Sequence, residues 1–219
     1  RPFDAVGELP IIAEYCPGHG LGLSFFMHRG EALLTFQHRR LHEWPPEGGF
    51  STLCVGVPLT RHAELQQHSI ALLRRIGWEG PAMVEYRHDP ATGRSWLMEI
   101  NGRFWGSLPL ASQSGAEFAW MSYAVGGLKD DSVRCRVRPE LRCRSLVTEA
   151  KWLIRVILAQ HKIQDRSLRY SRLRESVRWV GLFFDPRVRY FVFSLSGPVP
   201  AFADLLGGVL RRLTGGRGE

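Results

Sequence analysis

Residues 81–107 read PAMVEYRHDPATGRSWLMEINGRFWGS. The runs 82–88 and 95–101 are strand-like, and the DPATGR between them is rich in turn formers, so the stretch reads as a β-hairpin. Alternation along the second run puts Glu99 and Asn101 on one face, with Met98 and Ile100 on the other. A hairpin symmetric about Thr92 sets Glu85 opposite Glu99 and His88 opposite Trp96. Two carboxylates facing each other across a ladder repel. A divalent cation between them would resolve the repulsion, taking two carboxylates and an amide carbonyl as hard oxygen ligands. Mg2+ commonly joins carboxylates to phosphate oxygens in this way. The plainer alternative is two acids on a solvated hairpin, and a one-residue slip in register would part them. Arg103 follows two residues after Asn101 and offers a fixed guanidinium fork suited to phosphate or carboxylate.

The surrounding sequence supplies mixed elements. Residues 11–16 form a short apolar run closed by Pro17-Gly18-His19-Gly20, which predicts a buried strand entering a turn. Runs 21–28 and 32–37 flank Arg29-Gly30-Glu31 as a second hairpin. The polar, Pro/Gly-punctuated 38–49 (HRRLHEWPPEGG) reads as a loop, and 50–57 as a strand. In 61–77, Leu65, Ser69, Leu72, Leu73 and Ile76 share one face of a helix. Helices are also expected over 116–125, 145–161 and 201–213, and an aromatic strand-like stretch over 179–193 around Asp185-Pro186. The class is α+β. Gly18, Gly20 and Gly22 precede no helix, so Walker and Rossmann readings fail. The histidines lack zinc spacing, and no Ser/His/Asp arrangement is evident. Cys16 and Cys54 read as small buried hydrophobes, and Trp105 as core or pocket rim.

The chain has 219 residues, 44% hydrophobic and 23% charged, which excludes wholesale disorder. It carries 29 Lys+Arg against 21 Asp+Glu, a formal net charge of +8. The charge is uneven: 1–128 hold 10 Arg, no Lys and 12 acids, and 129–219 hold 16 Arg, 3 Lys and 9 acids. No apolar run approaches the roughly 20 residues of a membrane-spanning helix. The chain starts at Arg1 with no basic-then-apolar leader, which predicts no signal peptide and a piece of a longer protein. Four cysteines without metal spacing fit a reduced, cytoplasmic chain.

Glu85 followed by MEINGR at 98–103 resembles the metal-binding signature of the ATP-grasp superfamily. PIIAEYCPGHGLG at 10–22 resembles that family's hinge strand. FQHRRLHEWPPEGGFS at 36–51 is similar to the basic, Gly-rich segment of a carboxylate–amine ligase-like branch. The motifs keep the family's order over about residues 8–127. The resemblance implies a C-terminal ATP-grasp half over 1–127, with a mainly antiparallel sheet and flanking helices, then a basic, mostly helical extension over 128–219. It implies Glu85, Glu99 and Asn101 as ligands of Mg2+ or Mn2+. Glu14, Tyr15 and Cys16 would lie at the adenine and ribose end of ATP. Arg103 would face phosphates or the acceptor carboxylate, and His38, Arg39 or Arg40 would hold phosphate or an anionic substrate. The implied activity is an ATP-dependent ligase that activates a small carboxylate as an acyl-phosphate and joins it to an amine-type (or thiol) acceptor. The family's phosphate-binding lysines have no counterpart before Lys129, so the resemblance places a lysine-bearing subdomain upstream of Arg1.

The basic tail supports a rival: a non-catalytic module on an anionic membrane or nucleic acid. Arg134, Arg136, Arg138, Arg142 and Arg144 come in quick succession, and the helices at 145–161 and 201–213 are apolar enough to lie on a membrane interface. A solvated basic face is the reading preferred to nucleic-acid binding. A third possibility keeps the fold with ATP binding and no turnover.

Overall fold

The computed structural model describes residues 14–46, 48–163 and 170–193, and singly 197, 199, 200 and 203. The strands are β1 (His19–His28), β2 (Glu31–Trp44), β3 (Phe50–Gly56), β4 (Gly80–His88), β5 (Ser95–Asn101), β6 (Arg142–Arg144) and β7 (Val188–Tyr190). The helices are α1 (Ala63–Arg75), α2 (Leu108–Gln113), α3 (Phe118–Met121), α4 (Leu146–Leu158) and α5 (Arg172–Gly181). The strands form one seven-stranded sheet in the order β5-β4-β1-β2-β3-β6-β7. Every pairing is antiparallel except β6 with β7. The class is α+β, with helices flanking a mainly antiparallel sheet. Residues beyond 128 supply both β6 and β7 to that sheet.

Two cores clothe the two faces. On one, Leu21, Leu23, Phe25 and Met27 of β1 meet Ala82, Val84 and Tyr86 of β4 beneath Leu73 of α1. On the other, Phe26, Leu34, Phe36, Cys54 and Met83 lie against Leu110, Ala111, Phe118 and Met121 of α2 and α3. Sealing each large apolar side chain contributes about 1.5–3 kcal/mol. Trp105 belongs to the second core, edge-on to Phe118 with centroids 5.0 Å apart. The hairpin at Arg29-Gly30 forms as expected, both residues having positive φ (51° and 79°). That backbone twist matches the twist of the flanking strands.

Several expectations change. Residues 38–44 are not loop: β2 runs unbroken to Trp44. Their polarity hid the strand because the polar groups find partners inside the fold. Gln37 donates to Pro58 and Arg61 carbonyls, His38 meets Ser107, and His42 meets Glu149. Residues 14–16 carry no strand, and 11–13 lie outside the described residues. The helix expected over 116–125 is the single turn α3, continued as a π-helix over Ser122–Leu128. In 179–193 only Val188–Tyr190 is strand, because 179–181 finish α5. The 201–213 helix falls outside the described residues except for Ala203. On α1 the buried residues are Ser69 and Leu73, and Ile76 turns to solvent. Cys54 is buried as expected, but Cys16 is only partly so. Among the described residues no helix is long and apolar enough to cross a membrane.

Candidate functional site

The β4–β5 hairpin brings Glu85 opposite Glu99, the expected register. The ladder shifts between Glu85 and Tyr86, so His88 faces Ser95 rather than Trp96. That irregularity leaves Met98 unpaired and keeps Glu99 and Asn101 on the Glu85 side. Ile100 packs into the α1-side core, as the alternation predicts. The turn is fixed by Asp89, whose carboxylate accepts from the Ala91 amide at 2.9 Å and the Thr92 hydroxyl at 2.7 Å.

Beside the hairpin, β1 presents Gly20 and Gly22 to the same face. Gly22 pairs with Glu85 on one side and His38 on the other. A Cβ at Gly20 would stand 2.6 Å from Arg40 Cδ, and one at Gly22 would stand 2.3 Å from His38 Cε1. The two glycines thus open a trough across the central strand. Arg40 of β2 lies over it and reaches Glu85 with a 2.5 Å hydrogen bond. Arg40 also donates to the Gly49 carbonyl at 3.1 Å and approaches Glu43, which faces Arg87 at 3.9 Å. Burial raises the Glu85 pKa above the usual carboxylate range; Arg40 opposes that rise and Glu99 adds to it. The first positive partner of the carboxylate pair is therefore a guanidinium. Gly22→Ala should force the buried His38 ring aside and cost about 1–3 kcal/mol. An unchanged urea midpoint would count against the close-packed trough.

The remaining expected residues are distributed as follows. Asn101 donates its amide to Glu99 Oε1 at 2.6 Å. Arg103 is exposed and bonds the neighbouring Phe104 carbonyl at 3.1 Å. Glu14 and Tyr15 are exposed on the segment leading into β1. His38 and Arg40 share the trough face. Arg39 lies on the opposite face, beside Leu21 and Val55, apart from the carboxylate pair. Strand alternation splits the adjacent arginines. Glu43, Arg87 and Ser107 were not singled out from the sequence. The i, i+2 spacing of Gly20 and Gly22 was the signal for an open strip on a strand, legible only once β1 was known to start at His19.

His38 is fully buried, with Nε2 2.9 Å from the Ser107 hydroxyl. Burial first, and Arg40 second, lower its pKa to about 3. The folded chain therefore holds this ring neutral where the unfolded chain protonates it. Stability should be fully present above pH about 6.5 and fall as pH drops toward about 3, by up to about 1.4 kcal/mol per pH unit. Melting profiles of His38→Asn should flatten within that window. A slope equal to the parent's would remove His38 as the cause.

No family model matches the chain, and no curated protein matches it. Solved structures do resemble it. The Kluyveromyces lactis urea carboxylase is 12% identical, with a TM-score of 0.44, over 57% of this chain and 12% of its own. The biotin carboxylase domain of a thermophilic 2-oxoglutarate carboxylase, bound to bicarbonate, is 13% identical, with a TM-score of 0.42, over 57% and 29%. A biotin carboxylase–βγ-ATP complex from Campylobacter jejuni is 12% identical, with a TM-score of 0.39, over 47% and 24%. The likeness to the carboxylases is one of chain trace, over about half of this chain and less than a third of each of theirs.

Proposed function

We propose that this chain carries the metal-ligand part of an ATP-grasp ligase, with Mg-ATP on the trough face of the sheet. The observation that carries the reading is Glu85 opposite Glu99, with Asn101 on the same side and cationic Arg40 at hand. Among the described residues no three His, Cys, Asp or Glu gather to hold a metal. Two carboxylates and an amide carbonyl are nevertheless a fitting donor set for Mg2+, which completes its shell with water and phosphate oxygens.

In this reading Glu85, Glu99 and Asn101 hold the cation. When bound, it neutralises charge on the transferred phosphoryl group. The chain's own side chains do the rest. Arg40, which bonds Glu85 here, would be free to meet a phosphate oxygen if a cation took its place at the carboxylates. Arg103 positions an acceptor carboxylate or phosphate. His38, neutral and buried, sets the floor of the trough and carries no proton in the reaction. The site has no need of a protein nucleophile, because phosphoryl transfer rests on positioning and electrostatics. The substrate class is a small carboxylate, activated as an acyl-phosphate and captured by an amine-type or thiol acceptor.

Calorimetric titration of ATP with and without Mg2+, in the full-length protein, tests this. Mg-dependent binding is expected. Binding of equal strength in EDTA would overturn the metal assignment.

A further inference from the structure

The face opposite the trough holds a second concave site. At one end of the sheet His88 of β4 pairs with His19 of β1, and Arg39, Val55 and Arg142 pair across β2, β3 and β6, with Arg39 beside Leu21 two residues along β1 from His19. Arg61 and His62 from the β3–α1 loop, with Glu140 and Arg187, complete a cavity of about 600 Å³. Its lining thus gathers four guanidinium groups and three imidazoles against one carboxylate.

The charges are not balanced within the protein. Asp185 bonds Arg142 at 2.9 Å and lies 3.9 Å from Arg187. Among the described residues the side chains of Arg39 and Arg61 have no such partner. After burial, the charge of Arg61 is the largest influence lowering the Arg39 pKa, ahead of Arg178 and Arg142. Gathering like charges in a concavity costs free energy that a bound anion would recover.

The wall is also pre-built. Gln37, buried beneath the loop, donates to the Pro58 carbonyl at 2.5 Å and the Arg61 carbonyl at 2.8 Å. Gln66 of α1 donates to the Leu59 carbonyl at 2.7 Å, the Arg61 carbonyl at 3.1 Å and Gln37 Oε1 at 3.1 Å. Two amides thus clamp the segment that carries Arg61 and His62. Pre-organisation of this kind lowers the cost of ordering a site on binding. Burial and neighbouring charge lower the pKa of His19 to about 4 and lower that of His62, so both rings are neutral N–H donors near pH 7.

We propose that this cavity binds a small, multiply charged oxyanion, with Arg39 and Arg61 as the principal contacts and Arg142 and Arg187 as the far wall. Guanidinium forks match phosphoryl and carboxylate oxygens alike. A concave site of this size fits a small molecule, whereas a nucleic acid or membrane needs an extended surface. The site is independent of the Mg-ATP reading, since it lies on the other face of the sheet.

The test is calorimetric titration with inorganic pyrophosphate and, separately, citrate, in EDTA at about 50 mM salt and pH about 7.5, where screening is limited. One-to-one binding of at least one anion is expected. The stronger of the two identifies phosphoryl or carboxylate as the recognised group. Arg39→Gln and Arg61→Gln should each weaken binding by about 10-fold or more. Among the described residues both side chains lack partners, so these variants should keep the parent's melting temperature. Arg134→Gln, on an exposed arginine outside the lining that bonds its own segment's carbonyls at 2.9 Å, should leave binding unchanged. Three results would overturn the proposal: no binding of either anion, equal weakening by Arg134→Gln, or stronger Arg39-dependent binding to duplex DNA or phosphatidylserine vesicles.

Discussion

Glu99→Ala is expected to abolish ATP turnover in the full-length protein, by about 10²–10³-fold or more, while the fold survives. Glu99 is exposed at the rim of the hairpin, and among the described residues its one hydrogen-bonding neighbour is Asn101. Removing it therefore takes little from stability. It takes from the proposed site one of two carboxylates and the group that orients the Asn101 amide. A lost electrostatic partner at a phosphoryl-transfer site has an effect of that order. Glu85→Ala would be a poorer probe, since it also removes the carboxylate that Arg40 Nη2 bonds. The measurement is steady-state ATP consumption beside a melting curve. Turnover within a factor of about 3 of the parent's would sink the ligase assignment, because β5 carries no second carboxylate to replace Glu99.

Trp152→Ala should have the largest effect on stability, about 3–5 kcal/mol, as for other buried aromatic truncations. Trp152 of α4 is fully buried. It stacks on His42 with centroids 3.6 Å apart and meets Tyr170 edge-on at 5.1 Å. His42 in turn lies 2.5 Å from the buried carboxylate of Glu149, with Glu175 at 3.9 Å. Deleting the indole leaves that polar pair facing a cavity instead of an apolar wall, which adds to the lost transfer energy. Chemical denaturation should show the midpoint falling with the slope unchanged. A loss below about 1 kcal/mol would mean that α4 is not part of the cooperative core.

The β4–β5 hairpin was legible because its signals are local: alternation, a turn rich in Asp, Pro and Gly, and a symmetry about Thr92 that sets Glu85 opposite Glu99. The irregularity at Met98 was not legible, since nothing in the composition separates a bulge from a regular strand. The length of β2 was missed for another reason. His38, Arg39, Arg40 and His42 look like loop residues until their partners are known, and those partners (Ser107, Glu85, Glu149) are distant in sequence. Once 38–49 was read as loop, Arg39 and Arg40 could only be grouped together. Their opposite placement needs the strand. The proposed anion cavity was invisible for the same reason, because it collects side chains from five strands and the connections between them.

Those two arginines also say where the chain tolerates insertion. One residue added to β2 before His38 would carry every later side chain through the sheet. Arg39 would then stand at the carboxylates and His38 in the opposite cavity. Past Arg40 the ladder with β3 already shifts twice, at Arg40/His42 and His42/Glu43. An extra residue there would be absorbed by a break that exists. Backbone phase is thus held from Leu34 to Arg40, between the shift opposite Phe26/Met27 and these breaks, and two surfaces of different character hang on a single peptide link.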